Sequence, residues 1–368
     1  MKKRVCIVTM TRAEYGVLKW IIKDMINSDV FEPTLIAGGA HFSKEQGYTV
    51  DEIKKDGIPF YVLKNSIVDN SDEASIVEGM GDISISVSKA FKELKPDYLV
   101  VVGDRYELLP VATGALIMKI PIIHISGGDV TEGAIDNEIR NAITMMATYH
   151  FTGNDESKKN IIRMRNSDEN VWNVGEPGLD AFYREKLFDR EEMAFKLGLD
   201  IDKKWILFTY HSETRIGLEE NIKTVKNCIE VLKNIENIQC VMTHANMDFG
   251  GIEINRFLEE VADGRKLFSV ASLGHINYLS MMRQVSLVMG NSSSGILEAP
   301  FLQVPVVNIG DRQKGRHLCG NVLDCSGDKS EIETAVYKAM NEKFLVTDSY
   351  YWGDGHAGKR MINILSDI

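Results

Sequence analysis

Three hydroxyls stand in a row at 292–294 in the stretch GNSSSGILEAP (290–300), behind Asn291 and ahead of Gly295 and Glu298. Hydroxyls and unpaired N–H groups at a helix start make an anion site. The first four N–H groups lack internal partners, and the dipole adds positive character. A diphosphate suits Ser292 and Ser293 there. The plainer alternative is a serine N-cap, with Glu298 in the first turn or so complementing the dipole. In VVGDRYE (101–107), Asp104 stands beside Arg105, whose guanidinium can fork onto a phosphate. The plainer role for Asp104 is an N-cap. HISGGDVTEGAIDNEIR (124–140) carries Asp129, Glu132, Asp136 and Glu138 in a loop entering a helix. Clustered carboxylates hold one another's pKa values apart and can supply an acid and a base. His211, followed by Ser212, Glu213, Thr214 and Arg215, is a candidate acid or base at a strand end. His41 in GGAHFSKEQG has similar standing, whereas His124, inside an apolar run, reads as core.

These residues recur because of the elements that carry them. Short apolar runs fall at 4–10, 34–39, 98–104, 120–126 and 171–175, then at 205–211, 238–244, 286–290 and 304–310. Helical patterns lie between them, near 13–27, 73–94, 106–118, 136–147 and 155–165, and near 216–234, 251–262, 275–283, 294–301 and 330–342. Near-continuous apolar strands separated by helices predict parallel sheets covered on both faces. Two such sets predict an α/β chain of two Rossmann-like domains, 1–175 and 176–354, divided where Gly and Pro interrupt the pattern in NVGEPGLDAF (173–182). Ligands of such sheets bind beyond the carboxyl ends of the strands. The polar residues there are Arg12 with Glu14, His41, Asp104 with Arg105, the 126–136 segment, His211, Asn246 with Asp248, 291–294 and Arg312. In NIGDRQKGR (308–316), Lys314 and Arg316 accompany Arg312, as anion ligands or as a solvated basic loop.

The chain has 368 residues, 44% hydrophobic and 26% charged, as in a soluble globular protein of two ordinary domains. A formal charge of −11 argues against nucleic acid as a partner, since phosphate backbones want a basic face. No apolar run reaches the roughly 18 residues a membrane span needs. The basic start MKKR precedes a short apolar run without a cleavage site and reads as a first strand, not a signal peptide. Five cysteines without CxxC spacing read as reduced thiols of a cytoplasmic protein. No GxGxxG or GxxxxGK[ST] occurs in place, and the eight histidines show no HExxH, so no nucleotide cofactor and no metal are expected.

TRAEYG (11–16), GDRYE, GGDVTEGAIDNEIR, GNSSSGILE, NIGDRQKGR and WGDGHAGKR (352–360) together resemble the UDP-N-acetylglucosamine 2-epimerase family, most closely its hydrolysing branch in sialic-type acid synthesis. The motifs span essentially the whole chain in family order. The resemblance implies a glycosyltransferase-B architecture with the UDP-sugar in a cleft between the domains. A final helix near 355–368 returns to the first domain, and a homodimer or homotetramer is expected. It implies Arg12 as a ligand of the nucleotide sugar, with Arg105 and Arg312 assisting, while His41 and Asn246 are candidate substrate ligands from their strand-end places alone. Ser292 and Ser293 would hold the diphosphate and Glu298 the ribose. Asp104, the loop acid Asp136 and His211 would be catalytic, with Asp129 and Glu132 in the same loop as further candidate acids, and with Asp104 and His211 jointly handling the proton at C2. Many relatives carry Glu where this chain has Ser126, which argues against the non-hydrolysing type and leaves open which loop acid acts.

The implied reaction converts UDP-GlcNAc and water into N-acetylmannosamine and UDP through 2-acetamidoglucal, with UDP-N,N'-diacetylbacillosamine as the alternative substrate. Two rivals are a UDP-sugar glycosyltransferase of the same architecture, which would need an acceptor, and a sensor that binds without turnover.

Overall fold

The computed structural model describes residues 2–44, 48–132, 134–246 and 250–368, and Asp248 lies outside them. The chain divides into two compact units. The first comprises residues up to Val130, Asp136–Arg184 and Trp352–Ile368, and the second comprises Thr131–Ile135 and Glu185–Tyr351. No helix among the described residues is long and apolar enough to cross a membrane.

The first unit is built on seven strands: β1 (Lys3–Thr9), β2 (Phe31–Ala37), β3 (Phe60–Val62), β4 (Tyr98–Val102), β5 (Ile122–Ile125), β6 (Tyr149–Thr152) and β7 (Val171–Asn173). They lie in the order β3-β2-β1-β4-β5-β6-β7. The second has six: β8 (Lys204–Thr209), β9 (Ile238–Thr243), β10 (Leu267–Val270), β11 (Leu287–Gly290), β12 (Val306–Ile309) and β13 (Val322–Cys325), in the order β10-β9-β8-β11-β12-β13. Every strand pairing among the described residues is parallel. The strand order reverses between β1 and β4 and again between β8 and β11. Each reversal opens a crevice beyond the carboxyl ends, where a doubly wound sheet takes its ligand.

Four strands escape the sequence pattern. β3, β10 and β13 are short edge strands that are only partly buried, so their residues need not be uniformly apolar. β6 (YHFT) is internal but carries His150 in place of an aliphatic residue. The helices Val50–Lys55 and Arg190–Leu197 are too short to display a clear period. The run at 98–104 ends as a strand at Val102, because Gly103 turns out of the ladder at φ +80°.

The helix Arg12–Ile26 shows how local signals and packing agree. Thr11 caps it in a box with Glu14, and Leu18, Ile21, Ile22 and Met25 form one buried stripe at helical spacing. Met361 and Leu365, from the helix Ala357–Asp367, join the same core. That late helix has no cap of its own. Its first N–H groups, on Ala357 and Gly358, donate to Asp180 Oδ1 and Oδ2 at 2.8 Å each. Lys3 Nζ donates to the carbonyl of Leu365 at 3.0 Å near its other end, where the dipole favours a cation. The buried carboxylate of Asp180 thus substitutes for a missing N-cap across a large stretch of sequence. Asp180→Ala would leave both N–H groups unpaired at a cost of about 1–3 kcal/mol. The expected result is faster amide hydrogen exchange over 357–367 with little change in the second unit.

Candidate active site

In the first unit the crevice is bounded by the residues after β1 and β4. Arg12 opens its helix half-buried, and its positive charge reaches His41 and Glu52. Glu14 is buried and accepts from the backbone N–H of Thr11 at 3.1 Å and from that of Met10. Burial pushes its carboxyl up to about 8 against those bonds.

After β4 the carboxylate of Asp104 pairs with Arg140, a guanidinium only 1% exposed, which also donates to the carbonyl of Asp129 at 2.8 Å. Burial opposes the charge on Arg140. Asp104, Asp129 and Asp136 outweigh it, and the guanidinium pKa stands above its ordinary value. Asp104 is therefore no N-cap: Glu107 holds that position for the helix Leu108–Ile117, without a side-chain cap. Below it, His124 Nε2 donates to the carbonyl of Gly103 at 2.8 Å, and its Nδ1 meets Thr144 Oγ1 at 3.1 Å. Burial lowers that ring to about 4, so His124 is a neutral core strut, as its apolar setting predicts.

Several expectations for this unit need correction. His41 is not at a ligand surface: it is 0% exposed, and its ring nitrogens meet Thr9 Oγ1 and Thr49 Oγ1, each at 2.9 Å. Burial lowers it to about 4, so it serves as a neutral tie. Arg105 spends its fork on Glu107, at 3.0 Å to each carboxylate oxygen, and lies over the Tyr106 ring. A phosphate would have to compete with that pair. The acids of the 126–138 loop make different contacts, although Asp129 and Asp136 both bear on Arg140. Asp129 turns inward to Ser157 and Asn154 at the start of the helix Asp155–Arg165. Glu132, in the short segment that belongs to the second unit, is exposed, while Asp136 starts the helix Asp136–Met146 half-buried. Asp129 is thereby tied to the helix start at Asn154 and Ser157.

In the second unit the crevice lies between His211, after β8, and Asn291, after β11. The fully buried Asn291 amide acts as a piece of backbone. Its Oδ1 accepts from the His211 N–H at 2.7 Å, and its Nδ2 donates to the His211 carbonyl at 2.8 Å. The carbonyl of Asn291 collects Arg312 at 3.1 Å and Gln313 Nε2 at 2.9 Å. Asn291 is thus the joint that fixes His211, the serine turn and Arg312 together. The sequence marks it only as part of GNSSSG. His211 Nδ1 accepts from the backbone N–H of the half-buried Asn246 at 3.0 Å, which places the neutral ring's proton on Nε2. Asn246 enters through its backbone, a role no side-chain pattern announces.

Ser292 caps the helix Ser293–Phe301. Ser294 is held by Tyr278 at 2.6 Å and by Ser292 at 3.0 Å, while Ser293 stands half-buried as the first residue of the helix. Glu298 stands in the second turn, not the first, so it does not serve the dipole at the N-terminus. Its Oε2 is buried without a hydrogen-bond partner among the described residues. Burial pushes the carboxyl up to about 7, and the charge of Arg316 opposes that rise. A buried acceptor left open fits a ligand hydroxyl. Glu213, also buried, accepts from the Asp311 N–H at 3.1 Å and so fixes the loop carrying Arg312. Lys314 is exposed beside Asp311. One group of metal-ligand types occurs among the described residues, at His317, Cys319 and Asp348. It is internally satisfied: His317 meets Asp348 Oδ2 at 2.6 Å, and Cys319, its thiol pushed up to about 12 by burial, donates to the Asp348 carbonyl. It joins two loops.

Comparison with known proteins bears on these two crevices. Residues 23–366 match the family described as UDP-N-acetylglucosamine 2-epimerase. The chain is 35% identical to the Campylobacter jejuni protein named GDP/UDP-N,N'-diacetylbacillosamine 2-epimerase (hydrolyzing), over 93% of this chain and 89% of that one. It is 30% identical to the Legionella pneumophila UDP-N,N'-diacetylbacillosamine 2-epimerase (hydrolyzing), over 100% of this chain and 97% of that one. The crystal structure of the UDP-GlcNAc 2-epimerase from Neisseria meningitidis bound to UDP-GlcNAc shares its fold with a TM-score of 0.81 at 18% identity, over 100% of both chains. The architecture is thus two parallel-sheet Rossmann-like units of glycosyltransferase-B type, as in that structure. On the extent of the family match and of both relatives, the chain belongs to the UDP-N-acetylglucosamine 2-epimerase family and is an enzyme of its hydrolysing kind.

Proposed function

We propose that the chain hydrolyses UDP-N,N'-diacetylbacillosamine with inversion at C2, in a nonulosonic-acid pathway. The observation that carries the choice of sugar is the pair of hydrolysing relatives that match nearly the whole chain, both named for diacetylbacillosamine. This replaces UDP-GlcNAc as the first expectation, and UDP-GlcNAc stands as the second reading.

The nucleotide end falls to the second unit. The amides and hydroxyls of Ser292 and Ser293 take the diphosphate, Arg312 adds charge, and the open Oε2 of Glu298 accepts from a ribose hydroxyl. His211, a donor through Nε2, stabilises the negative charge that grows on the departing diphosphate. It is therefore assigned to the leaving group and not to C2. The first unit supplies Asp104, ionised beside Arg140, to accept the C2 proton as the C1–O bond breaks. The electron pair of the C2–H bond becomes the C1–C2 double bond of the glycal, and UDP leaves with the electrons of the C1–O bond. Water then adds at C1, and a proton returns to the opposite face of C2. No step calls for an acceptor sugar, which separates this reading from a glycosyltransferase.

Offered UDP-N,N'-diacetylbacillosamine and UDP-GlcNAc separately, without acceptor, the protein should release UDP and the C2-inverted hexosamine, faster from the first. Solvent deuterium should appear at C2 in D₂O. Release of UDP with the original configuration kept and no deuterium would reduce the enzyme to a simple nucleotide-sugar hydrolase.

Asp104→Asn should lower kcat by about 10²–10⁴-fold while UDP still binds, the usual weight of a general base. His211→Ala should cost about 10²–10³-fold, as for one lost transition-state donor, and His211→Gln, which keeps an N–H donor, should cost less. Equal losses in the two His211 variants would remove the donor role.

Glu298 gives a pH test. With its carboxyl raised to about 7 in the free protein, ribose binding to the ionised form must expel the proton. UDP affinity should therefore rise with pH through about 7 and level off above it. Glu298→Gln should remove that dependence and weaken binding by about 1.5–3 kcal/mol, read by calorimetry at several pH values. An unchanged pH profile in the variant would take Glu298 off the ribose.

A further inference from the structure

We propose that Ser126 and Glu176 form a proton relay that activates the water adding to C1, an inference that rests on the hydrolytic reading above. Ser126 follows β5 directly, and Glu176 follows β7, so both stand beyond the carboxyl ends of the sheet that carries Asp104 after β4. Ser126 has φ +59°, a left-handed conformation that a non-glycine residue adopts at a cost. Its hydroxyl donates to Glu176 Oε2 at 2.7 Å. The carboxyl group is pinned in turn. The Glu176 backbone N–H donates to the Trp352 carbonyl at 2.7 Å, and a Cβ at Gly153 would come within 2.0 Å of Glu176 Oε1. Glycine at 153 therefore makes the room this carboxylate occupies.

Exposure gives the pair a direction. Glu176 is 5% exposed, whereas Ser126 is half-buried, so the hydroxyl is the outward end and the carboxylate the inward one. A serine hydroxyl is a poor base for a C–H proton, but transfer between oxygens along a preformed hydrogen bond suits it. When water attacks C1 of the glycal, the new C1–O bond forms as one water O–H bond breaks. That proton goes to Ser126 Oγ as the Ser126 proton passes to Glu176 Oε2. The C1–C2 π pair takes a proton at C2 from a separate acid. Ser126 is the catalytic residue of the pair. Glu176 is a positioning residue that acts through it.

The relay serves hydration and not elimination, so its loss should split the reaction. In single turnovers on UDP-N,N'-diacetylbacillosamine or UDP-GlcNAc, Glu176→Gln and Ser126→Ala should release UDP within a few-fold of the parent rate. Formation of the free hexosamine should fall by about 10²–10⁴-fold, and the unsaturated sugar should accumulate, visible by NMR. Hexosamine appearing in step with UDP at the parent rate in both variants overturns the relay alone. So does a matched loss of UDP release and hexosamine formation, which would move the pair into elimination or into the scaffold. A parent protein that releases UDP from neither sugar overturns the hydrolytic reading and the relay together.

Discussion

Parallel pairing is the constraint on which the remainder depends. A parallel strand must be followed by a crossover before the next can begin, and the crossover returns every strand in one direction. All carboxyl ends of a sheet therefore share one edge. With both faces covered by helices, that edge is where polar side chains can gather without disturbing the core. Asp104, Ser126 and Glu176 meet this condition in one unit, and His211, Asn291 and Arg312 in the other. The reversal of strand order then decides where along each edge a ligand can enter.

Within that frame, two buried polar groups set the chemistry. Arg140 is charged and almost completely enclosed, a state that water-free surroundings punish unless partners are close. Asp104 supplies the partner and is fixed by it, so a residue on a helix determines the state of a residue at a strand end. Asn291 does the corresponding work without charge. Its amide closes two bonds on the His211 backbone, as a neighbouring strand would, and its own carbonyl collects Arg312 and Gln313. Neither residue need touch a ligand, yet each fixes its neighbours at the sheet edge, Asp104 in one unit and His211 with Arg312 in the other.

Much of this is legible in the chain because local and global preferences coincide. The helical patterns at 73–94 and 155–165 coincide with Glu73–Leu94 and Asp155–Arg165, where Asp72 and Asn154 cap the starts. The serine cap after β11 is legible for the same reason: its partners lie within two residues. What is not legible depends on distant partners. His41 looks like a surface histidine until Thr9, 32 residues away, closes over its ring. Asp129 looks like a loop acid until Ser157 and Asn154 draw it inward. The Arg140 contact with Asp104 spans 36 positions. Such pairs are products of the tertiary fold, and no spacing rule along the chain contains them.

The return of the helix Ala357–Asp367 to the first unit has a consequence for synthesis. Ribosomes deliver the chain from its N-terminus, and domains ordinarily fold in that order. Here the earlier unit lacks its last core helix, and Asp180 lacks the N–H groups it accepts from, until the whole second unit has been translated. The later-made unit can thus complete itself first, while the apolar stripe awaiting Met361 and Leu365 remains uncovered. That stripe is the surface a nascent-chain chaperone would meet during the wait.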